Sequence, residues 1–331
     1  MIDICLMPGD GIGPEMIGHA ERVLRALPLE ITCAYADIGF GAYETLGTPL
    51  PPATLEKIRT SSASLFCAVT TPPNIPDYFS PVVRMRQELQ LFSNLRPIKS
   101  IPHPSSRQNI DILIFRENTE GLYAGAERVE DGGNRAVTER VITRLGAERI
   151  LRRAFETARD QGRSTVHVIH KANVLRETDG LFRAVALEIA SEFPAVEMRE
   201  MLVDTCAMEL IRAPEQFEVI VTTNLFGDIL SDEASMLVGG LGVAASGNIG
   251  LECAVFEPVH GSAPSLVGTG KANPIATLNA VVMMLEYLKE DKNAQILRQA
   301  IFEIIKEKKA TPDLDGDLST QEVVDDILSK V

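Results

Sequence analysis

IDICLMPGDGIGPE, residues 2–15, joins an apolar run to a glycine-rich turn. Ile2 to Met7 predicts a buried strand, and Pro14 predicts the first turn of a helix with apolar residues at helical spacing. A G-x-G-x-x-G fingerprint would need a third glycine where Pro14 stands, and no Gly-Lys-Ser/Thr follows as in a P-loop. The segment therefore predicts an α/β protein without the usual dinucleotide fingerprint. The turn itself is compatible with lining a ligand cleft or with a purely structural role.

Apolar runs alternate with helical patterns along the rest of the chain, which favours an α/β fold. Further strands are predicted at 63–70, 110–115, 165–169 and 219–222. Helices are predicted at 146–158, 181–190, 228–237 and 277–288. Residues 124–142 form a polar, glycine-punctuated stretch that predicts either a protruding hairpin arm or a surface loop.

Composition limits the class of protein and of partner. The 331 residues are 45% hydrophobic and 24% charged, as in soluble globular chains of one large or two smaller domains. Thirty-two Lys and Arg against 46 Asp and Glu leave a net charge of −14, which argues against nucleic acid or an anionic membrane as main partner. Five scattered cysteines without a C-x-x-C pair, and no signal or transmembrane segment, predict a cytoplasmic protein.

Arginines accompany several of the apolar segments. Arg116 directly follows strand 110–115, and ligands of α/β sheets bind at the carboxyl ends of strands. Arg86 and Arg96 flank a further apolar segment. Guanidinium groups stay charged and bind carboxylates in bidentate fashion, so the three together predict an anion site suited to a polycarboxylate. Each arginine taken singly is more typical of a solvated surface charge.

Two residues are candidates for proton transfer. Lys171 lies one residue beyond strand 165–169 in HKAN, a position that suits a general base. Tyr123 ends the segment RENTEGLY and is a candidate general acid. A surface lysine and a partly buried structural tyrosine are the alternatives for these two residues.

Acidic residues form the third candidate group. Asp228 and Asp232 are four residues apart in a predicted helix, so their carboxylates share one face and repel unless a metal ion or an arginine lies between them. Oxygen ligands suit Mg²⁺ or Mn²⁺, and Asp204 is a candidate third ligand. The alternative is that the acids only complement the dipole at a helix start.

A loop rich in small residues surrounds His260. EPVHGSAP at 257–264 is followed by Gly268, Gly270 and Asn273. Small and turn residues allow a backbone to approach a ligand closely, so this loop predicts a ligand-binding segment.

These motifs, in this order, resemble those of the β-decarboxylating dehydrogenases: isocitrate, homoisocitrate, 3-isopropylmalate and D-malate/tartrate dehydrogenases. The resemblance extends from the first strand to the last loop. The matching segments are GDGIGPE at 9–15, NLRP at 94–97, RENTEGLY at 116–123, HKAN at 170–173, TTNLFGDILSD at 222–232 and EPVHGSAP at 257–264.

The resemblance implies roles for the candidate residues. Lys171 would remove the substrate hydroxyl proton as hydride leaves for NAD, and Tyr123 would protonate the enolate left by CO₂. Substrate would be bound by these two residues and by Thr70, Thr71, Arg86, Arg96, Arg116 and Asn173. Mg²⁺ or Mn²⁺ would be bound by Asp204, Asp228 and Asp232, with Asp204 and Lys171 coming from the neighbouring subunit.

The resemblance also implies a cofactor site. Its residues would be Ile12, Asn173, Glu257, His260, Gly261, Ser262, Ala263, Ser265, Ala272 and Asn273. NAD-dependent members usually have Asp at the position of Ser265, where its carboxylate binds the ribose and repels a 2′-phosphate. Leu266 and Ala272 nevertheless resemble the NAD type, whereas Lys271 is a nearby cation. NAD is therefore favoured over NADP.

The implied fold has two α/β domains around a central cleft, with a non-Rossmann dinucleotide site. The large, cofactor-binding domain would comprise 1–98 and 239–331; the small substrate and dimerisation domain would comprise 99–238, with a dimer arm at 124–142. Activity would require a homodimer with shared sites, which could assemble further into a tetramer.

The substrate is less well defined than the family. RENTEGLY and TTN favour homoisocitrate or isocitrate over 3-isopropylmalate, and malate or tartrate rank last. Val83, however, stands where some homoisocitrate enzymes have an arginine, and an apolar residue would suit an isopropyl group; Arg84 could supply the charge instead. A non-catalytic regulatory subunit of a hetero-oligomeric isocitrate dehydrogenase is disfavoured, because the proton-transfer and metal-binding side chains are all present.

Overall fold

The computed structural model describes residues 1–72, 75 and 78–331. The strands in these residues are β1 (Ile2–Gly9), β2 (Ile31–Tyr35), β3 (Ala63–Ala68), β4 (Ser93–Lys99), β5 (Asp111–Glu117), β6 (Glu127–Glu130), β7 (Arg135–Thr138), β8 (Thr165–His170), β9 (Glu197–Leu202), β10 (Val219–Thr222), β11 (Ala245–Ile249) and β12 (Ala254–Pro258). The α-helices are α1 (Gly13–Ala26), α2 (Phe40–Leu46), α3 (Pro52–Thr60), α4 (Pro81–Glu88), α5 (Arg144–Asp160), α6 (Thr178–Ser191), α7 (Val203–Arg212), α8 (Asn224–Ser235), α9 (Ile275–Tyr287), α10 (Asp291–Lys306) and α11 (Thr320–Leu328).

The predicted α/β class is confirmed, and so are the elements predicted from apolar patterns. The predicted strands correspond to β1, β3, β5, β8 and β10, and the predicted helices to α1, α5, α6, α8 and α9. The main difference is that α8 begins at Asn224 rather than at 228, so its first turn carries no acidic residue. Asp228 therefore does not serve as a helix-start acid. Part of the loop that follows β3, at residues 73–74, lies outside the described residues.

The first compact unit comprises residues 1–89, 100–108 and 238–331. Its five strands lie in the order β2-β1-β3-β12-β11. β1 pairs in parallel with β2 and β3, whereas β11 and β12 are antiparallel. Helix α9 packs against β3, β11 and β12 and is buried along most of its length, which explains its almost entirely apolar sequence.

The second compact unit comprises residues 90–99 and 109–237. Its five main strands lie in the order β4-β5-β10-β8-β9. β5, β10, β8 and β9 are parallel, and β4 is antiparallel to β5. Helices α5 and α6 bury apolar side chains against this sheet, including Phe155 and Phe182. The parallel strands place their carboxyl ends, and the residues that follow them, at one edge.

The boundaries of these units differ from the predicted domains at residues 90–98, 100–108 and 238. Residues 90–98 were expected in the large domain, but they belong to the second unit because β4 pairs with β5 along its whole length, from Ser93 opposite Glu117 to Lys99 opposite Asp111. Residues 100–108 belong instead to the first unit.

The predicted arm at 124–142 contains an antiparallel hairpin. β6 pairs with β7, from Glu127 opposite Thr138 to Glu130 opposite Arg135. The hairpin exposes 70% of the surface of Val129. Of the two alternatives for this stretch, the hairpin is confirmed.

The five cysteines are free thiols; four are buried, and Cys33 is half-buried. Among the helices described, none combines the length and the apolar character that spanning a bilayer requires.

Candidate active site

The carboxyl ends of three neighbouring strands bring the predicted residues of the second unit together. Thr222 of β10 lies opposite Arg116 of β5 on one side and opposite Ile169 of β8 on the other. Arg116, the start of α8 and Lys171 therefore meet at one edge of the sheet, as the sequence predicts for ligand-binding residues of parallel strands.

Arg116 is buried, with only 2% of its surface exposed, and its guanidinium is fully engaged. Nε and one terminal nitrogen donate to Asn224 Oδ1 at 3.0 and 2.8 Å, and the other terminal nitrogen donates to Asp228 Oδ1. A buried guanidinium needs such partners to offset the loss of hydration. Asn224, which the sequence did not single out, thus orients Arg116 toward α8.

Arg96 lies between the two acidic residues of α8. It donates to Asp232 Oδ1 at 2.8 Å and to Asp228 Oδ1 at 3.2 Å, and its Nε donates to Asn94 Oδ1 at 2.9 Å. Repulsion between carboxylates four residues apart is thereby relieved by an arginine, one of the two possibilities that the spacing left open.

Tyr123 completes this cluster. It lies in a short 3₁₀ helix (Leu122–Ala124), and its hydroxyl donates to Asp228 Oδ2 at 2.8 Å. The Arg116 guanidinium lies 5.2 Å from the centre of the tyrosine ring. Burial, reinforced by the bond to Asp228, raises the pKa of Tyr123 above its ordinary value. The phenol is therefore protonated at neutral pH and able to act as a proton donor.

Lys171 and Asp204 form a separate pair. Lys171 follows β8, and its Nζ donates to Asp204 in the first turn of α7. The bond from Lys171 lowers the pKa of the exposed Asp204 carboxyl. Asn173, in the same loop as Lys171, is exposed.

The three predicted metal ligands are thus only partly assembled in one chain. Asp228 and Asp232 share Arg96, whereas Asp204 pairs with Lys171. No group of three acidic, histidine or cysteine side chains within the described part of the chain is placed to bind a metal. The chemistry of Asp228 and Asp232 nevertheless fits Mg²⁺ or Mn²⁺, since both are oxygen donors with solvent-accessible side chains.

In the first unit, Arg86 forms a buried ion pair with Glu257. The distance from its terminal nitrogen to Glu257 Oε1 is 2.8 Å, and the same oxygen accepts from Asn248 Nδ2 at 2.8 Å. Ser246 Oγ lies 3.3 Å from this oxygen. Arg86 Nε is buried and has no hydrogen-bond partner. Of the three predicted arginines, Arg96 and Arg116 lie in the second unit and Arg86 lies in the first.

The turn of the opening segment contacts two predicted loops of the first unit. Thr70 N donates to Asp10 at 2.8 Å, and Ile12 N donates to Ser262 O at 3.0 Å. Thr70 Oγ1 in turn donates to Ser262 Oγ at 2.8 Å. At Gly11, with φ of +63°, a Cβ would stand 2.0 Å from Ser262 O, so only glycine fits. Asp10 is a positioning residue that the sequence did not single out.

The remaining predicted cofactor residues lie on the loop after β12. His260 Nε2 is buried and has no partner, and burial lowers the pKa of this imidazole. An unpartnered neutral nitrogen in a loop of small residues fits a nucleotide ligand. Asn273 is buried and donates to Asp313 at 2.8 Å, and Ala272 is buried beside it. Ser265 is exposed, as are Gly261 and Thr71, whereas Ala263 is half-buried.

Comparison with known proteins identifies the family of the chain. Residues 3–327 match the family model described as isocitrate/isopropylmalate dehydrogenase. The chain belongs to this family. Over 319 residues it is 48% identical to an isocitrate/homoisocitrate dehydrogenase of Thermus thermophilus, covering 96% of this chain and 95% of the relative. It is also 45% identical to a 3-isopropylmalate dehydrogenase of Methanothermobacter thermautotrophicus, covering 98% of this chain and 97% of the relative.

A solved structure shows the same fold. The isocitrate dehydrogenase from Methylococcus capsulatus superposes with a TM-score of 0.96 at 42% identity and covers 100% of this chain and 99% of its own. The predicted isocitrate/isopropylmalate dehydrogenase-like fold is therefore confirmed. The family comprises metal-dependent β-decarboxylating dehydrogenases that use NAD(P) and Mg²⁺ or Mn²⁺, and membership makes the chain an oxidoreductase.

Proposed function

We propose that the chain oxidises and decarboxylates isocitrate or homoisocitrate, with NAD as hydride acceptor and Mg²⁺ or Mn²⁺ as metal. The observation that carries this proposal is the convergence of Arg96, Arg116 and Tyr123 on the carboxylate of Asp228. This arrangement combines anion binding, metal ligation and a proton donor within one cluster.

The arginines bind the substrate carboxylates. Arg96 and Arg116 are buried by 94% and 98% and held by Asn94 and Asn224, so their orientation is set before substrate arrives. Such preorganisation reduces the entropy lost when substrate binds. Arg86 adds a third cation, oriented by Glu257.

Two side chains transfer protons. Lys171 Nζ donates to Asp204, so it would accept the hydroxyl proton of the substrate only after its ammonium group has lost a proton to solvent. The Tyr123 hydroxyl returns a proton to carbon after CO₂ has left, and its raised pKa keeps that proton available.

Asp228, Asp232 and the neighbouring subunit's copy of residue 204 hold the metal. When bound, the metal supplies Lewis-acid stabilisation of the charge that develops on the substrate oxygen, and NAD supplies the hydride acceptor. Ile12, Ser262 and the loop around His260 hold the nucleotide, while Asn173 contacts its nicotinamide.

The active form is a homodimer with shared sites. Helices α7 and α8 pack against each other and leave large apolar side chains in solvent, with exposures of 66% for Met208, 57% for Ile211 and 57% for Ile229. Met236, directly after α8, is 67% exposed. Exposed apolar residues grouped on paired helices are typical of a protein interface. The arm and these helices lie in the second unit, which supports its role in substrate binding and dimerisation.

3-Isopropylmalate is the second candidate substrate. Val83 on α4 is only partly exposed and apolar, which suits an isopropyl group. Arg84, the other possible source of charge, is exposed; its guanidinium lies 3.5 Å from Glu88 and 5.1 Å from the ring centre of Phe79.

The decisive experiment is a substrate panel with the purified chain, Mg²⁺ and NAD. Isocitrate, homoisocitrate, 3-isopropylmalate and D-malate are compared by kcat/KM from the absorbance of reduced cofactor. We expect isocitrate or homoisocitrate to rank first, and removal of the metal by EDTA to abolish turnover until Mn²⁺ is added. A higher kcat/KM for 3-isopropylmalate would reverse the order, and no reduction with any acid would indicate a regulatory subunit.

A substitution on α4 tests whether Val83 contacts the substrate. Val83→Arg should increase kcat/KM for homoisocitrate relative to 3-isopropylmalate. The substitution adds a cation at the position where residue 83 is proposed to contact the substrate. Val82→Arg on the same helix is the matched control and should leave the ratio unchanged. Equal effects of the two substitutions would contradict the placement of Val83.

A further inference from the structure

A second buried ion pair lies in the second unit, outside the residues discussed so far. Arg140 lies in the arm, two residues after β7, and Asp179 lies in the first turn of α6. Their side chains are 13% and 0% exposed, and a terminal nitrogen of Arg140 donates to Asp179 Oδ1. A carboxylate with no exposed surface is costly to bury unless strong partners hold it.

Asp179 binds the backbone of the proposed base. Lys171 N donates to Asp179 Oδ2 at 2.6 Å, so one carboxylate oxygen holds the main chain where β8 ends. The next amide, Ala172 N, donates to His170 Nδ1 at 3.2 Å. The loop that presents Lys171 is therefore fixed by side chains.

Arg140 extends this connection to α8. Its second terminal nitrogen donates to Thr223 Oγ1 at 2.9 Å, directly before α8 begins. Its guanidinium also lies 5.1 Å from the ring centre of Phe226, in the first turn of α8. A third bond joins Arg140 to Thr178 Oγ1 at 2.8 Å. One guanidinium thus joins the arm, the start of α6 and the start of α8.

We propose that Arg140 and Asp179 are positioning residues, which hold the Lys171 loop and the start of α8 in a fixed arrangement. α8 carries Asp228 one turn after Asn224, so a shift of its first turn would move that carboxylate. The inference rests on the proposed function, because it takes Lys171 as the base. Neither residue touches substrate in this scheme; each acts through the backbone or helix that it holds.

The directional hydrogen bonds of a guanidinium explain why the Arg140–Asp179 ion pair, rather than apolar packing, occupies this buried position. A guanidinium offers several donors in a fixed plane and can bind Asp179, Thr178 and Thr223 at once. Apolar packing would fill the same volume without fixing the direction of the chain. A displacement of about 1 Å at a reacting group can cost on the order of 100-fold in rate.

Kinetics of Arg140→Met, Asp179→Asn and the double variant test the proposal, with isocitrate as probe. We expect kcat to fall by about 10- to 100-fold because the base is misplaced. The KM for isocitrate should rise by a smaller factor than kcat falls, because Arg96 and Arg116 lie on β4 and β5 and only Asn224, which orients Arg116, lies on α8. With isocitrate deuterated at the hydroxyl-bearing carbon, the isotope effect on kcat should increase, since hydride and proton removal become slower than product release.

Arg144→Met is the matched control. Arg144, the first residue of α5, pairs with Glu188 of α6 at 2.6 Å. Helix α6 also carries Asp179, but both side chains of the Arg144–Glu188 pair are more than half exposed. This variant should keep the kcat and isotope effect of the unsubstituted chain. If a single substitution prevents folding, the double variant provides the test, because it leaves no unpaired charge in the core. A fall in kcat that matches a loss of folded protein, with an unchanged isotope effect, would overturn the proposal.

Amide hydrogen exchange separates this proposal from the proposed function. Peptides that cover 170–173 and 223–228 should exchange at least about tenfold faster in the Arg140 and Asp179 variants than in the Arg144 control, because bonds that protect these segments are lost. Unchanged exchange there would refute the positioning role whatever the activity. If the unsubstituted chain reduces NAD with neither isocitrate nor homoisocitrate, the proposed function fails, and exchange still decides whether the pair holds both segments.

Discussion

Gly227 of α8 lies directly against Arg116 of β5. A Cβ atom at residue 227 would stand 2.7 Å from both the Cβ and the Cγ of Arg116, closer than real side chains approach one another. The absence of a side chain at this position allows the helix to sit against the strand. Arg116 can then reach Asn224 one turn before Gly227 and Asp228 directly after it.

Gly227→Ala should therefore separate α8 from β5. We expect a loss of about 1–3 kcal/mol in the free energy of unfolding, as for other overpacked sites, and a lower kcat/KM because Arg116 is displaced. Urea denaturation and steady-state kinetics measure the two effects. Gly18→Ala in α1, where nothing lies within 4 Å, is the control and should gain up to about 1 kcal/mol from helix propensity. Similar losses for both variants would contradict the close approach.

Tyr123→Phe removes the proposed proton donor while keeping the ring over which Arg116 lies. We expect kcat to fall by about 100- to 10,000-fold, the usual contribution of general acid catalysis. Tyr287→Phe, at a half-buried residue of the first unit that packs on Phe256, should leave kcat unchanged. Turnover near normal in Tyr123→Phe would refute its assigned role.

His167 predicts a dependence of stability on pH. This residue of β8 is buried against Phe217, with ring centres 4.7 Å apart, and burial lowers the pKa of its imidazole from 6.5 to about 4. Between pH 6.5 and about 4, the unfolded chain therefore binds a proton at His167 that the native state does not bind. The contribution of His167 to the free energy of unfolding is fully present above pH 6.5 and decreases as the pH falls toward 4.

The slope of this loss should approach about 1 kcal/mol per pH unit. It is measured as the difference in free energy of unfolding between the unsubstituted chain and His167→Gln, which does not titrate. A difference that stays constant from neutral pH to pH 4 would contradict the lowered pKa.

Ser265→Asp tests the cofactor preference. A carboxylate at this exposed position should bind the ribose hydroxyls of NAD and repel the 2′-phosphate of NADP. We expect the ratio of kcat/KM for NAD over NADP to rise on the order of tenfold, equivalent to about 1.4 kcal/mol. Ser191→Asp adds the same charge at the end of α6 and should leave the ratio unchanged. An unchanged ratio in Ser265→Asp would place residue 265 away from the ribose.

The exposed apolar side chains of α7 and α8 predict that the protein forms a dimer through this surface. Met208→Glu and Ile229→Glu each place a charge on the apolar surface of α7 and α8, so a dimer that uses this surface should dissociate and lose activity. Light scattering after size-exclusion chromatography measures the mass. Leu251→Glu, at a residue 91% exposed in the first unit, should not change it. An unchanged dimer mass in both helix variants would exclude this surface as the interface.

The sequence by itself determined the α/β class, the main strands and helices and the family, and it left the stretch 124–142 as either a hairpin arm or a surface loop. These features follow from local sequence patterns. Buried parallel strands are continuous apolar runs, and the apolar residues of amphipathic helices recur every three to four positions. Short motifs also located Arg116 and Lys171 at the ends of strands, and Tyr123 in the segment that follows Arg116. Patterns of this kind do not depend on which distant segment becomes the neighbour.

Only the tertiary structure decided which side chains pair. Arg96 lies 132 residues from Asp228 along the chain, and Arg86 lies 171 residues from Glu257. These contacts depend on the order of strands in the sheet and on the seating of α8 against β5, which periodicity does not specify. The same holds for Arg140 and Asp179, since nothing local distinguishes them from the surface charges around them. A buried ion pair is a property of the packed fold, because only packing removes the water that would otherwise screen and separate the charges.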